Sequence, residues 1–116
     1  MRETKFRFRL KELTKEGYRE WFKFYTLDDL VRGGGITTAE IIAKDLFTSL
    51  HDKNGKEIYE GDIMERKGNQ LKPTLTLKVF WNNKVGSFQI GDWAIGHVND
   101  PIEVIGNIYE NKELLT

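Results

Sequence analysis

Apolar and polar positions alternate from the start of the chain. Phe6, Phe8 and Leu10 fall on one side of an extended segment, and Lys5, Arg7 and Arg9 on the other. Alternation with a period of two is the mark of a strand with one buried face. Lys15-Glu16-Gly17 gives a turn, and the aromatic run Tyr18 to Tyr25 suits a second strand, so the spacing predicts a hairpin. Thr26-Leu27-Asp28-Asp29 predicts a single helical turn capped by Thr26, and Gly33-Gly34-Gly35 predicts a loop.

The segment from Ile36 to Leu50 reads both ways. Thr37-Thr38-Ala39-Glu40 resembles a capping box, while Ile41, Ile42 and Phe47 would serve equally in a strand. Beyond it, Asn54-Gly55 predicts a tight hairpin reversal with two left-handed residues. Glu57 to Met64 resumes an extended pattern, with Gly61 marking a bend. Leu75 to Trp81 alternates, Asn82-Asn83-Lys84 turns, Val85 to Ile90 returns, and Ile102 to Tyr109 forms a last strand. Six or seven short strands with one or two short helical segments predict a mainly β fold, a small SH3-like barrel or a strongly bent antiparallel sheet.

Length places all of this in one domain, since 116 residues leave little room for a second core. The chain has no cysteine, which excludes a disulfide framework, a thiolate zinc site and a cysteine nucleophile. No apolar run reaches the length of a membrane span or of a signal peptide, so the expected location is the cytoplasm. Eighteen basic residues balance eighteen acidic ones, so binding to nucleic acid would rest on a local patch rather than on a field of the whole molecule.

Two longer motifs go further. Asp52-Lys53-Asn54-Gly55-Lys56-Glu57-Ile58-Tyr59-Glu60-Gly61-Asp62-Ile63 and Glu103-Val104-Ile105-Gly106-Asn107-Ile108-Tyr109-Glu110-Asn111, with the opening Met1 to Arg7, resemble the YopX protein family. The resemblance implies a phage or prophage origin in a bacterial host and an SH3-like barrel core. It departs from the family pattern at Phe8-Arg9-Leu10, where Ala-Trp-Asp is common, at Ser49, where Gly is common, and at Lys112, where Pro is common. The family has no established activity, so the resemblance carries over no site residue.

Candidate chemistry is sparse. His51 beside Asp52 and His97 near Asp100 could orient a base, but neither Ser49 nor Ser87 lies in a nucleophile elbow, and nothing has His-Glu-x-x-His spacing. The run from Asp52 opens like a calcium loop yet has Glu57 and Ile63 where Gly and Glu are required. Gly33 to Gly35 lacks a phosphate-loop lysine. Neither a catalytic site, a metal nor a cofactor is therefore assigned. The first candidate binding surface is the basic strand face of Lys5, Arg7 and Arg9 with Trp21 alongside, where cations would hold a nucleic-acid backbone and rings would stack on bases. Pairing of the same charges with Glu3, Glu12 and Glu20 across the hairpin is the competing account. The second candidate is an interface anchored by Trp81, Trp93 and Tyr109, joining the chain to copies of itself or to an unidentified phage or host protein.

Overall fold

The computed structural model describes residues 4–33, 39–94 and 101–115. The fold is mainly β, with two antiparallel sheets, one of them curled into a half-barrel, as the alternating pattern predicts. The chain divides into two compact units, Met1–Phe47 and Thr48–Thr116.

In the first unit, β1 (Lys5–Thr14) and β2 (Gly17–Thr26) form the expected hairpin. Its register is fixed by a two-residue turn, because Thr14 pairs with Gly17 and every later pair follows from it. Thr14 Oγ1 donates to the Gly17 carbonyl at 2.7 Å, and Gly17 itself takes φ +113°, which a side chain would resist. The helical turn α1 (Leu27–Val31) carries the full capping box, with Thr26 and Asp29 each satisfying the other's backbone amide. The Thr26 amide first, and the Thr26 hydroxyl after it, hold the Asp29 carboxyl below its usual range. The strand reading of the ambiguous segment prevails: β3 (Glu40–His51) pairs with the free side of β1. The glycines 34–35, residue 36, and residues 37–38 of the expected capping box lie outside the described residues. Among the described residues of this unit, Leu10, Tyr25, Ala39 and Phe47 are the buried apolar ones.

The second unit begins with the last residues of β3. It continues through β4 (Glu57–Tyr59), β5 (Asp62–Arg66), β6 (Leu75–Asn82), β7 (Ser87–Ile90), β8 (Trp93–Ala94) and β9 (Ile102–Asn107), and ends in a 3-10 turn, Lys112–Leu115. The five later strands make a sheet in the order β8-β7-β6-β5-β9. Nine strands are thus described, against six or seven expected. Gly61, at φ +87°, splits one extended run into β4 and β5, and two-residue β8 is too short to leave a pattern. Ile58, Tyr59, Ile63, Met64, Val79, Phe88 and Ile90 form the core, and each fully buried aliphatic side chain adds about 1.5–3 kcal/mol.

Asn54-Gly55 does reverse the chain, with a correction. Only Gly55 has positive φ, so the reversal is not the mirror-image turn expected from Asn-Gly. The extra length of the loop explains this: Asp52 N donates to Lys56 O, Gly55 N donates to Asp52 O, and the Asp52 side chain fills the turn.

Candidate interaction surface

The hairpin register decides which side chains share a face, since residues opposite one another point the same way. Arg7 lies opposite Phe24, Arg9 opposite Phe22, and Leu13 opposite Tyr18. Trp21 lies opposite Leu10, hence on the other face, with Phe6 and Phe8. Phe22, not Trp21, is therefore the ring beside the arginines. The two-residue turn at Lys15-Glu16 contained that information once Thr14 was paired with Gly17.

Both arginines are buried, each 6% exposed. Nε and Nη2 of Arg7 donate to Oδ2 of Asp45 at 3.2 and 3.0 Å. Arg9 Nε donates to Glu20 Oε1 at 3.3 Å. The Phe22 ring centre lies 4.5 Å from the Arg7 guanidinium and 4.7 Å from that of Arg9, so one ring serves two cations. Asp45 comes from β3, 38 residues away, and no local cue in the sequence announces it. Half-buried Lys5 stands over Phe47 and Lys11 over Tyr18. On the opposite face, Arg19 covers Trp21 at 4.4 Å and pairs with Glu12 at 2.7 Å in a solvent-exposed bridge worth about 0–1 kcal/mol.

This face therefore holds its arginines inside and presents rings and aliphatics outside. Leu13 is 66%, Tyr18 68% and Phe24 55% exposed, and exposed Leu27 and Val31 follow on α1. Apolar groups left in water beside a rim of charges are what a protein contact removes from solvent.

The second set of candidates lies in the other unit. Trp81 is partly exposed, packs edge-to-face on Phe88 at 5.0 Å and donates from Nε1 to Asn83 Oδ1 at 2.7 Å. Trp93 belongs to β8, paired through its backbone with Ile90, and its side chain lies outside the described residues. Tyr109 is half-buried in the turn after β9, where its amide donates to Asn107 Oδ1. The backbone of Trp93 is joined to the strand of Trp81 through the β6–β7–β8 ladder. His51 is exposed at the end of β3, and His97 lies outside the described residues. Among the described residues no three His, Asp or Glu side chains gather as metal ligands, and no helix is long and apolar enough to cross a membrane.

The two long motifs turn out to be neighbours. Asp52 is buried, and its Oδ1 accepts the amides of Asn54 and Lys56 while Oδ2 accepts that of Val104 at 2.9 Å. Burial pushes its pKa up, but the three amides and the Lys56 charge outweigh that and hold the carboxyl below its usual range. Lys53 N donates to Ile102 O, Asn54 Nδ2 to Glu103 Oε1, and Ile108 N to Gly61 O. Asp62 pairs with Asn107 across the β5–β9 ladder, and its Oδ2 accepts the amide of Tyr59. Asp52 thus binds backbone amides of both motifs, Asp62 binds one within its own, and the Asn54 side chain meets that of Glu103.

The YopX protein family model matches residues 7–116 of this sequence, essentially its whole length. No curated protein matches it.

Proposed function

Because the chain belongs to the YopX protein family, we propose that it is a phage or prophage accessory protein that acts by binding, associating with copies of itself and with a further phage or host protein in the bacterial cytoplasm. One observation carries this reading: the hairpin exposes Leu13, Tyr18 and Phe24 on the face where Arg7 and Arg9 are buried against Asp45, Glu20 and Phe22. A surface built to grip phosphates would present its guanidinium groups to solvent and keep its aliphatics covered. Here the arrangement is the reverse, and it favours a protein partner over a nucleic acid.

The test is light scattering coupled to size exclusion, run alone and with mixed-sequence single-stranded and duplex oligonucleotides at low and high salt. The expected result is a mass above that of one chain, unchanged by the oligonucleotides. A complex with an oligonucleotide that dissolves at high salt would replace this reading with the nucleic-acid one, carried by cations such as Lys11, Arg19 and Lys23.

A further inference from the structure

The ends of a sheet are where unpaired backbone groups invite another chain, and three of the four ends described here are managed. β8 has two residues and β4 three, too short to template a ladder. β9 is bracketed, since Lys53 binds the Ile102 carbonyl and Asp52 the Val104 amide on the side away from β5. β2 differs: it is ten residues long, contains no proline, and among the described residues its one ladder neighbour is β1.

From this we infer that β2 is the edge through which two copies of the chain join, antiparallel about a two-fold axis centred on Phe22, making one continuous sheet. This rests on the reading of the chain as a self-associating module and names the surface and register. The charges on β2 select that register. In a two-fold antiparallel pair, opposite residues share a face, so one residue sits at the centre opposite its own copy. Centring on Arg19, Glu20 or Lys23 sets each against its own copy, and centring on Trp21 sets Arg19 against Lys23. All four place like charges opposite one another, which is destabilising. Centring on Phe22 places none. It sets Lys23 against Trp21, Arg19 against Tyr25, Glu20 against Phe24 and Tyr18 against Thr26. Centring on Phe24 also avoids like charges but pairs only five of the ten residues, against nine for Phe22, and the other centres join fewer still. Cations then face rings across the seam as they already do within one chain, where Lys23 stands over Tyr25 and Arg19 over Trp21. Exposed Phe24 is covered in the process.

Position 24 gives a register-specific test, because it meets Glu20 of the other copy twice per dimer. Phe24 is exposed, so a charged replacement leaves the protomer's core intact. Sedimentation equilibrium is expected to show Phe24→Glu dissociating about tenfold more readily than Phe24→Lys at low salt, with the gap closing at high salt. A second measurement does not depend on those variants folding equally well. The chain has no native cysteine, and cysteines at positions 20 and 24 of one strand are about 13 Å apart, too far to bridge within a chain. Glu20→Cys/Phe24→Cys is therefore expected to form a covalent dimer on mild oxidation, and Phe24→Cys alone is not. An oligomer in which both charge variants dissociate alike and the double cysteine variant stays unlinked overturns this register while leaving self-association standing. A wild-type protein that is monomeric at every concentration overturns both.

Discussion

Asp52 and Val104, 52 residues apart in sequence, are joined by a 2.9 Å hydrogen bond from the Val104 amide to the Asp52 carboxylate. Through it a hairpin loop closes the outer side of β9, and the two motifs that carry the family resemblance become one clasp. The family signature in this chain is therefore first a folding signature.

Removing the carboxylate strands three backbone amides. Hydrogen bonds to a charged acceptor are worth about 1.5–3 kcal/mol each and are not additive, so Asp52→Ala is expected to cost on the order of 3 kcal/mol in urea unfolding. Asn54→Ala, which loses only the exposed bond to Glu103, is expected to cost less than about 1 kcal/mol.

The same carboxylate predicts acid sensitivity. Its pKa in the folded chain lies below the ordinary 3.8. Its contribution is therefore complete above that value and is lost as pH falls through the folded pKa. Stability followed from pH 6 to pH 2 is expected to drop less steeply in Asp52→Asn than in the wild type.

Ser49 is the one non-glycine residue with positive φ among those described, at +71°. A left-handed backbone costs a side-chain-bearing residue about 1–2 kcal/mol. Ser49→Gly is expected to raise the thermal midpoint by a few degrees, equivalent to about 1 kcal/mol.

Gly106 is needed for space rather than for φ. A Cβ there would stand 2.5 Å from Asn111 Oδ1, and that oxygen accepts the Asn107 amide, so it cannot swing away without breaking a bond. Gly106→Ala is expected to destabilise by about 1–3 kcal/mol, with Gly106→Ala/Asn111→Ala less than the sum of its parts in a double-mutant cycle.

Arg7 was attractive in sequence as a phosphate ligand, and its pairing with Asp45 assigns it a structural task. Taking the guanidinium from a buried carboxylate costs about 3–5 kcal/mol. Arg7→Ala is expected to lower the unfolding midpoint whether or not oligonucleotide is present, and a binding defect without loss of stability would contradict that assignment.

Local features were legible in the sequence because their causes are local. The alternation of Lys5 to Leu10, the Thr26 cap and the bend at Gly61 each appear where their residues demand them. The burial of Arg7 was not legible, because an alternating pattern gives two faces without saying what covers the polar one. Asp45 and Phe22 cover it, one from a distant strand and one through hairpin register. Glu57 to Met64 read as one strand because periodicity does not register a single left-handed glycine, and Asn54-Gly55 misled because Asp52 lengthened the turn.

The claim that the chain works by self-association through β2 is tested most directly by hydrogen–deuterium exchange across a protein concentration series. Amides on the outer side of β2, Tyr18, Glu20, Phe22 and Phe24, are expected to become more slowly exchanging as concentration rises, while those of Ile102 to Asn107 stay constant because their edge is already closed within one chain. Exchange in β2 that is independent of concentration would contradict the account.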